Sequence, residues 1–300
     1  MRQSHDHVHK EDGTDNPGKL TGVGVWVTRP LHQAGSLAKR IEAEGGQAIC
    51  LPVIAIADVD DPETVMALVK RLDSFDLAIF VSANAVERGL GYVYAHRENG
   101  HVQRPVIPNN APDDAVAFAV RGTWPASLPV AAIGKATAKA LAAAGIPCAI
   151  QAAPPYNSES LLANAALQSD AIAGRRVIIF RGVGGRTLLG DTLRARGARV
   201  TYAEVYRRTL PQWPRTTPIP WDRIEIIVVT SGEGLENLFA MVNARTGDTV
   251  DDSVRERLRE TPLIVISERM AEIAHRLGYR HPPIIARSAS DEAILDALLF

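Results

Sequence analysis

The sequence predicts an α/β protein: two doubly wound parallel-sheet domains made by an internal duplication. Three observations predict it. The chain matches itself in three stretches, its apolar β-formers come in near-continuous runs of strand length, and a glycine follows four amphipathic helical stretches. At about 150 residues per domain, 300 residues suit two domains.

The self-match is gapless within each stretch. Residues 25–54 fall on 177–206 at an offset of 152, so that Arg29 meets Arg181, Leu37 meets Leu189 and Gly45 meets Gly197. Residues 78–90 fall on 227–239 at an offset of 149, with Ser82 on Ser231. Residues 130–145 fall on 263–278 at an offset of 133, with Gly145 on Gly278. The drop from 149 to 133 leaves 16 extra residues in the first half, inside the Pro- and Asn-rich stretch 95–125. That composition predicts a surface excursion, with a short helix around Asp113–Val120.

Along the chain, strands are expected at Val23–Thr28, Ala48–Ala57, Leu77–Ser82, Val130–Gly134, Arg176–Arg181, Arg199–Tyr206, Ile224–Thr230, Leu263–Ser267 and Ile284–Ala286. Their apolar residues do not alternate with polar ones, which marks parallel strands covered on both faces. Helices are expected at Gln33–Glu44, Ala136–Ala144, Ser158–Leu167, Thr187–Arg196, Met270–Leu277 and Ser290–Leu298, from apolar spacing near 3.6 residues. Gly45, Gly145, Gly197 and Gly278 supply left-handed stops. Ser158–Glu159 and Ser290–Asp291–Glu292 read as acid-rich helix starts.

Composition narrows function. With 33 Lys+Arg against 34 Asp+Glu the net charge is -1, so no global basic field exists to hold nucleic acid or an acidic membrane. No apolar run approaches the roughly 20 residues of a membrane span. Cys50 and Cys148 sit in apolar runs and read as buried filler in a reducing compartment. The first 19 residues lack the apolar core of a signal peptide. Cytoplasm is therefore the expected compartment. His5, His7 and His9 alternate in that tail; with no fixed geometry they read as a disordered, solvated arm and not as a metal site.

Doubly wound sheets bind ligands beyond the carboxyl ends of their strands. The candidate binding residues are therefore Thr28, Arg29, Ser82, Ala83, Asn84, Gly134, Lys135, Thr137, Arg181, Gly182, Arg186, Ser231, Gly232, Ser267 and Arg269. Arg181-Gly-Val-Gly-Gly-Arg186 follows a strand and opens a helix, and Glu204 lies downstream where a ribose-binding acid would sit. The dinucleotide pattern nevertheless needs glycine where Thr187 stands. Free amides at a helix start with two flanking arginines suit a carboxylate or phosphate instead. No nucleophile triad and no metal-ligand spacing is visible, so no metal and no cofactor is expected.

The runs Val27-Thr-Arg-Pro30, Phe80-Val-Ser82-Ala-Asn84-Ala-Val86, Ala132-Ile-Gly134-Lys-Ala-Thr137-Ala138 and Ser158-Glu-Ser-Leu-Leu162 occur in order. In the second half stand Phe180-Arg-Gly182, Gly185-Arg186, Gly197-Ala198, Val205-Tyr-Arg-Arg208, Thr230-Ser-Gly232 and Ala289-Ser-Asp291. Together they resemble the uroporphyrinogen-III synthase family over about residues 22–299. The pattern Gly134–Ala138 has a departure in its second-half counterpart, Ser267-Glu-Arg-Met270-Ala271, which lacks the hydroxyl at position 270.

The resemblance implies two flavodoxin-like domains joined by a two-stranded antiparallel ladder. A discontinuous domain would comprise 20–50 and 211–300, the ladder 51–59 and 200–210, and the other domain 60–199. It implies a monomer that holds hydroxymethylbilane between its domains and closes it to uroporphyrinogen III, with loss of water and inversion of ring D. It needs no enzymatic nucleophile, because the electrophile belongs to the substrate. Tyr206, at a strand end before two arginines, is the expected acid that helps the hydroxyl leave. Two other readings share the rim: a non-catalytic two-domain binding protein for a small polyanion, and a nucleotide-dependent oxidoreductase weakened by Thr187.

Overall fold

The structure is a computed structural model that describes residues 18–97, 124–213, 218–245 and 252–300. The His-rich tail up to residue 17 and the helix expected at Asp113–Val120 lie outside the described residues. In chain order the elements are β1 (Gly24–Val27), α1 (Leu31–Ala43), β2 (Gln47–Cys50), β3 (Ala55–Ala57), α2 (Pro62–Val69), β4 (Leu77–Phe80) and α3 (Ala83–Arg97). Then come β5 (Val130–Ala132), α4 (Lys135–Ala143), β6 (Cys148–Gln151), α5 (Ser158–Leu162), α6 (Ser169–Ile172), β7 (Arg176–Gly182), α7 (Leu188–Ala195) and β8 (Arg199–Thr209). The last are β9 (Ile226–Val228), α8 (Gly232–Arg245), α9 (Asp252–Glu260), β10 (Leu263–Val265), α10 (Glu268–Arg276), β11 (Ile284–Ile285) and α11 (Asp291–Leu298).

The described chain divides into two compact units: residues 18–29, 33–51 and 218–300 in unit one, and residues 30–32 and 52–213 in unit two. Unit one carries a five-stranded sheet in the order β11-β10-β9-β1-β2, parallel throughout. Numbered within the unit this is 2-1-3-4-5, a doubly wound order. Its core sets Val25, Val27 and Val228 of the sheet against Leu37 and Ile41 of α1 and Ile294 of α11. Unit two carries the order β3-β8-β7-β4-β5-β6, parallel except for β3, which runs antiparallel to β8.

The continuous apolar runs have their reason in unit two. Phe80 and Phe180 pack with Val86, Leu90 and Leu141 on one face, while Ile79 and Ile179 pack with Leu161, Leu189 and Leu193 on the other. Adjacent residues of a strand point to opposite faces, so a sheet covered twice needs an apolar side chain at every position. Phe80 and Phe180 stack on neighbouring strands with ring centroids 4.5 Å apart.

Several expectations are corrected. The strand expected over Ala48–Ala57 is two strands, because Pro52 lacks the N–H a ladder needs; the Leu51 carbonyl accepts from Trp26 Nε1 at 2.7 Å instead. The helix expected over Ser158–Leu167 stops at Leu162 and is followed by a 3₁₀ turn, Ala165–Leu167, capped by Asn164. The acid-rich start expected at Ser158–Glu159 does open α5, and Asn157 caps it in a reciprocal box with Ser160. β6, α2, α3, α6, α8 and α9 lie outside the expected spans. α2 was legible, since Asp61 accepts from the Thr64 N–H at 3.1 Å and Pro62 opens the helix. Cys50 and Cys148 are half-buried, and burial pushes both thiols up.

Candidate active site

In unit two the connections from β4 run towards β5 and β6, and those from β7 run towards β8. The switch point lies between β4 and β7, and Ser82 and Arg181–Gly182 stand at its carboxyl end. Ser82 Oγ accepts from the Ala85 N–H at 3.1 Å, capping α3. The same oxygen lies 3.2 Å from the Tyr206 hydroxyl. Tyr206 reaches this place through an irregularity. The β7–β8 register shifts between Arg181, paired with Glu204, and Gly182, paired with Tyr206. Such shifts re-aim a side chain. The Tyr206 ring is buried and lies flush on Gly182, where a Cβ would come 2.7 Å from two ring carbons.

A cavity of about 290 Å³ opens at this rim, lined among others by Ser158, Arg181, Arg186, Tyr202, Tyr206 and Arg208. Arg186 is exposed and pairs with Glu159 at 2.7 Å. The Glu159 carboxyl is held below the usual carboxylate range by its own backbone N–H and then by Arg186. Arg181 does not reach outward as a free donor, which corrects the expected pair of arginines. Its side chain is only 6% exposed; Nε donates to the Gly182 carbonyl at 3.2 Å and Nη1 to the Arg186 carbonyl at 3.4 Å. On the neighbouring strand end, Gly134 caps α4 without a side chain, Lys135 stands exposed with its ammonium 5.3 Å from the Tyr156 ring centre, and Thr137 is buried. Ala83 opens α3 and Asn84 is buried behind it.

Unit one has its own rim. The switch point lies between β1 and β9, where Thr28 Oγ1 donates to the Val228 carbonyl at 2.8 Å. Arg29 is engaged by the Asp291 carboxylate and the Ala289 carbonyl, so it too is not the free donor expected. Ser231 Oγ accepts from the Gly234 N–H at 3.0 Å and Ser267 Oγ from the Met270 N–H at 3.4 Å, both as helix caps. Gly232 opens α8, and Arg269 is exposed. A larger hollow of about 540 Å³ in this unit lies at the amino ends of β9 and β10 and is lined by Glu225, Glu256, Arg257 and Glu260, among others. It lies at the end of the sheet opposite to the one where doubly wound folds bind ligands. Among the described residues no group of three or more His, Cys, Asp and Glu side chains could hold a metal ion.

Arg181, Gly182, Arg186 and Tyr206 thus stand around one cavity in unit two, and Ser82 stands behind it against the Tyr206 hydroxyl. Ser158, Tyr202 and Arg208 line it without having been singled out as site residues. Alternation along β8 could not have named Tyr202 and Arg208, because the register shift between Glu204 and Tyr206 breaks the period of two.

Residues 35–296 match the family model of uroporphyrinogen-III synthase HemD. The chain belongs to the uroporphyrinogen-III synthase family. It is 30% identical over 283 residues to the uroporphyrinogen-III synthase of Salmonella typhimurium, covering 92% of this chain and 100% of that one. It is also 30% identical over 280 residues to the Escherichia coli uroporphyrinogen-III synthase, with the same coverage. A solved uroporphyrinogen III synthase from Thermus thermophilus aligns over 92% of this chain and 98% of that one, at 17% identity and a TM-score of 0.49. Among the described residues no helix is long and apolar enough to cross a membrane.

Proposed function

We propose that this chain works as a uroporphyrinogen-III synthase, closing hydroxymethylbilane to uroporphyrinogen III with loss of one water and inversion of ring D. The observation that carries the reading is the arginine-lined cavity at the switch point of unit two, with Tyr206 among its lining residues. The substrate has eight carboxylates. Arg186, Arg208, Lys135 and the helix-start amides of this rim are the donors that hold some of them. Gly134 lets the backbone come close, Gly182 makes room for the Tyr206 ring, and Thr28, Ser231, Gly232, Ser267 and Arg269 form the rim of unit one that serves the same class of ligand.

The chemistry needs little from the protein beyond orientation and one proton. Tyr206 passes a proton to the departing hydroxyl, which leaves as water. The azafulvene cation attacks the substituted carbon of ring D; the spiro intermediate then breaks the older bond at that carbon, ring D turns over, the freed methylene bonds to the unsubstituted carbon of ring D, and the proton lost from that carbon balances the one Tyr206 gave. The bound geometry suppresses closure without inversion. No resident cofactor enters this sequence.

The same reading takes the two units as products of duplication and the antiparallel β3–β8 pair as the connecting ladder. Strand order supports it. Under the sequence offsets β2-β1-β9-β10-β11 corresponds one for one with β8-β7-β4-β5-β6. The reading also takes the enzyme as a cytoplasmic monomer.

Product analysis tests the function. Purified protein given hydroxymethylbilane should yield isomer III in excess of the spontaneous isomer I. A binding protein for polyanions would retain the substrate and leave isomer I as the only cyclic product.

A further inference from the structure

Arg181 is a buried cation in the cavity wall, yet its Nε and Nη1 are taken up by backbone carbonyls. Burying a guanidinium is costly unless it is paired and hydrogen-bonded. Here the partners are the Gly182 and Arg186 carbonyls, the Glu204 carboxylate at 3.7 Å and the face of the Tyr202 ring, whose centre is 4.6 Å from the guanidinium carbon. The two carbonyls are the two ends of the loop 182–186. Between them Gly185 rests on the guanidinium so closely that a Cβ would lie 2.7 Å from Nη2.

From this geometry we infer that Arg181 is a positioning residue, a clamp that moulds the loop 182–186 so that the amides opening α7 face the ligand. The inference rests on the function proposed above and deepens it. In a trans peptide the C=O and the N–H point in opposite directions. Drawing the Arg186 carbonyl inward to Arg181 therefore turns the Thr187 N–H away from the guanidinium. Thr187 stands at the cap of α7 and makes no side-chain bond to the helix start, so the first-turn N–H groups have no partner within the helix. The guanidinium supplies shape, and the amides and exposed Arg186 supply contact. A lysine could not do the same, because a point charge on a flexible stem cannot bridge two fixed carbonyls.

The experiment uses four full-length proteins: wild type, Arg181→Lys, Gly185→Ala and the double variant. Each is assayed for KM and kcat on hydroxymethylbilane and for its melting temperature. Either single change should raise KM by roughly three- to tenfold while kcat stays within about twofold, the scale of effect usual between touching residues. In the Arg181→Lys background Gly185→Ala should add less than about twofold to KM, because the group it strikes is gone. KM effects that multiply, or a loss in kcat at constant KM, would overturn the clamp. Failure of the enzymatic reading would show separately, as wild type forming no isomer III. The clamp then stands or falls on the melting temperatures, which should be non-additive; additive shifts overturn it.

Discussion

Replacing Tyr206 with phenylalanine separates catalysis from packing. The substitution removes one oxygen and keeps the ring, which is buried against Gly182. The hydroxyl faces Ser82 Oγ at 3.2 Å, longer than the 2.7–2.8 Å usual for two oxygens, and Ser82 keeps its bond from the Ala85 N–H. No buried acceptor is stranded, so the cost falls at the low end of the roughly 0.5–1.5 kcal/mol that a hydrogen bond contributes. For a domain of this size that is a melting shift of about 1–2 °C. Loss of a general acid costs about 10²–10⁴ in rate. Initial rates with chromatographic resolution of isomers I and III, set beside calorimetric melting, measure both numbers. Turnover that falls only in step with the folded fraction would refute a catalytic role for the phenol.

Three further outcomes follow from the same geometry. Substituting Arg181 and Arg186 together with glutamine should raise KM for hydroxymethylbilane, and an unchanged KM would remove this rim as the carboxylate seat. Leu37→Ala, which empties a fully buried position between α1 and the sheet of unit one, should cost about 2–5 kcal/mol in denaturant unfolding. Asp76→Asn should lower the melting temperature at neutral pH. The Asp76 carboxyl is depressed chiefly by the Arg176 backbone N–H, which donates to it at 2.7 Å. A depressed carboxyl stabilises the fold above its unfolded pKa and loses that effect as pH falls through its folded pKa. The gap between wild type and variant should therefore close on acidification through and below the carboxylate range; a gap that persists there would contradict this account.

Local rules were legible wherever one residue type answers one backbone demand. Gly45, Gly145, Gly197 and Gly278 all take positive φ, as helix stops require. Ser290 caps α11 by accepting from the Ala293 N–H at 3.2 Å, and the apolar runs at 77–80 and 177–180 are strands buried on both faces. These follow from nearest-neighbour sterics and from a period shared along one element, so the sequence alone determined the parallel α/β class and the rim where its strands end.

The roles of the charged residues were decided only by tertiary structure. Arg29 and Arg181 fall on each other when the sequence is set against itself, yet Arg29 is taken up by Asp291, far along the chain, and Arg181 by its own loop and by Tyr202. Arg186, five residues from Arg181, remains exposed. Tyr206 meets Ser82 because a register shift between two strands turns it there. Periodicity tells which face a residue belongs to, but not which distant group will share it. Whether a cation binds a ligand or shapes a wall depends on desolvation and on partners that only folding brings together.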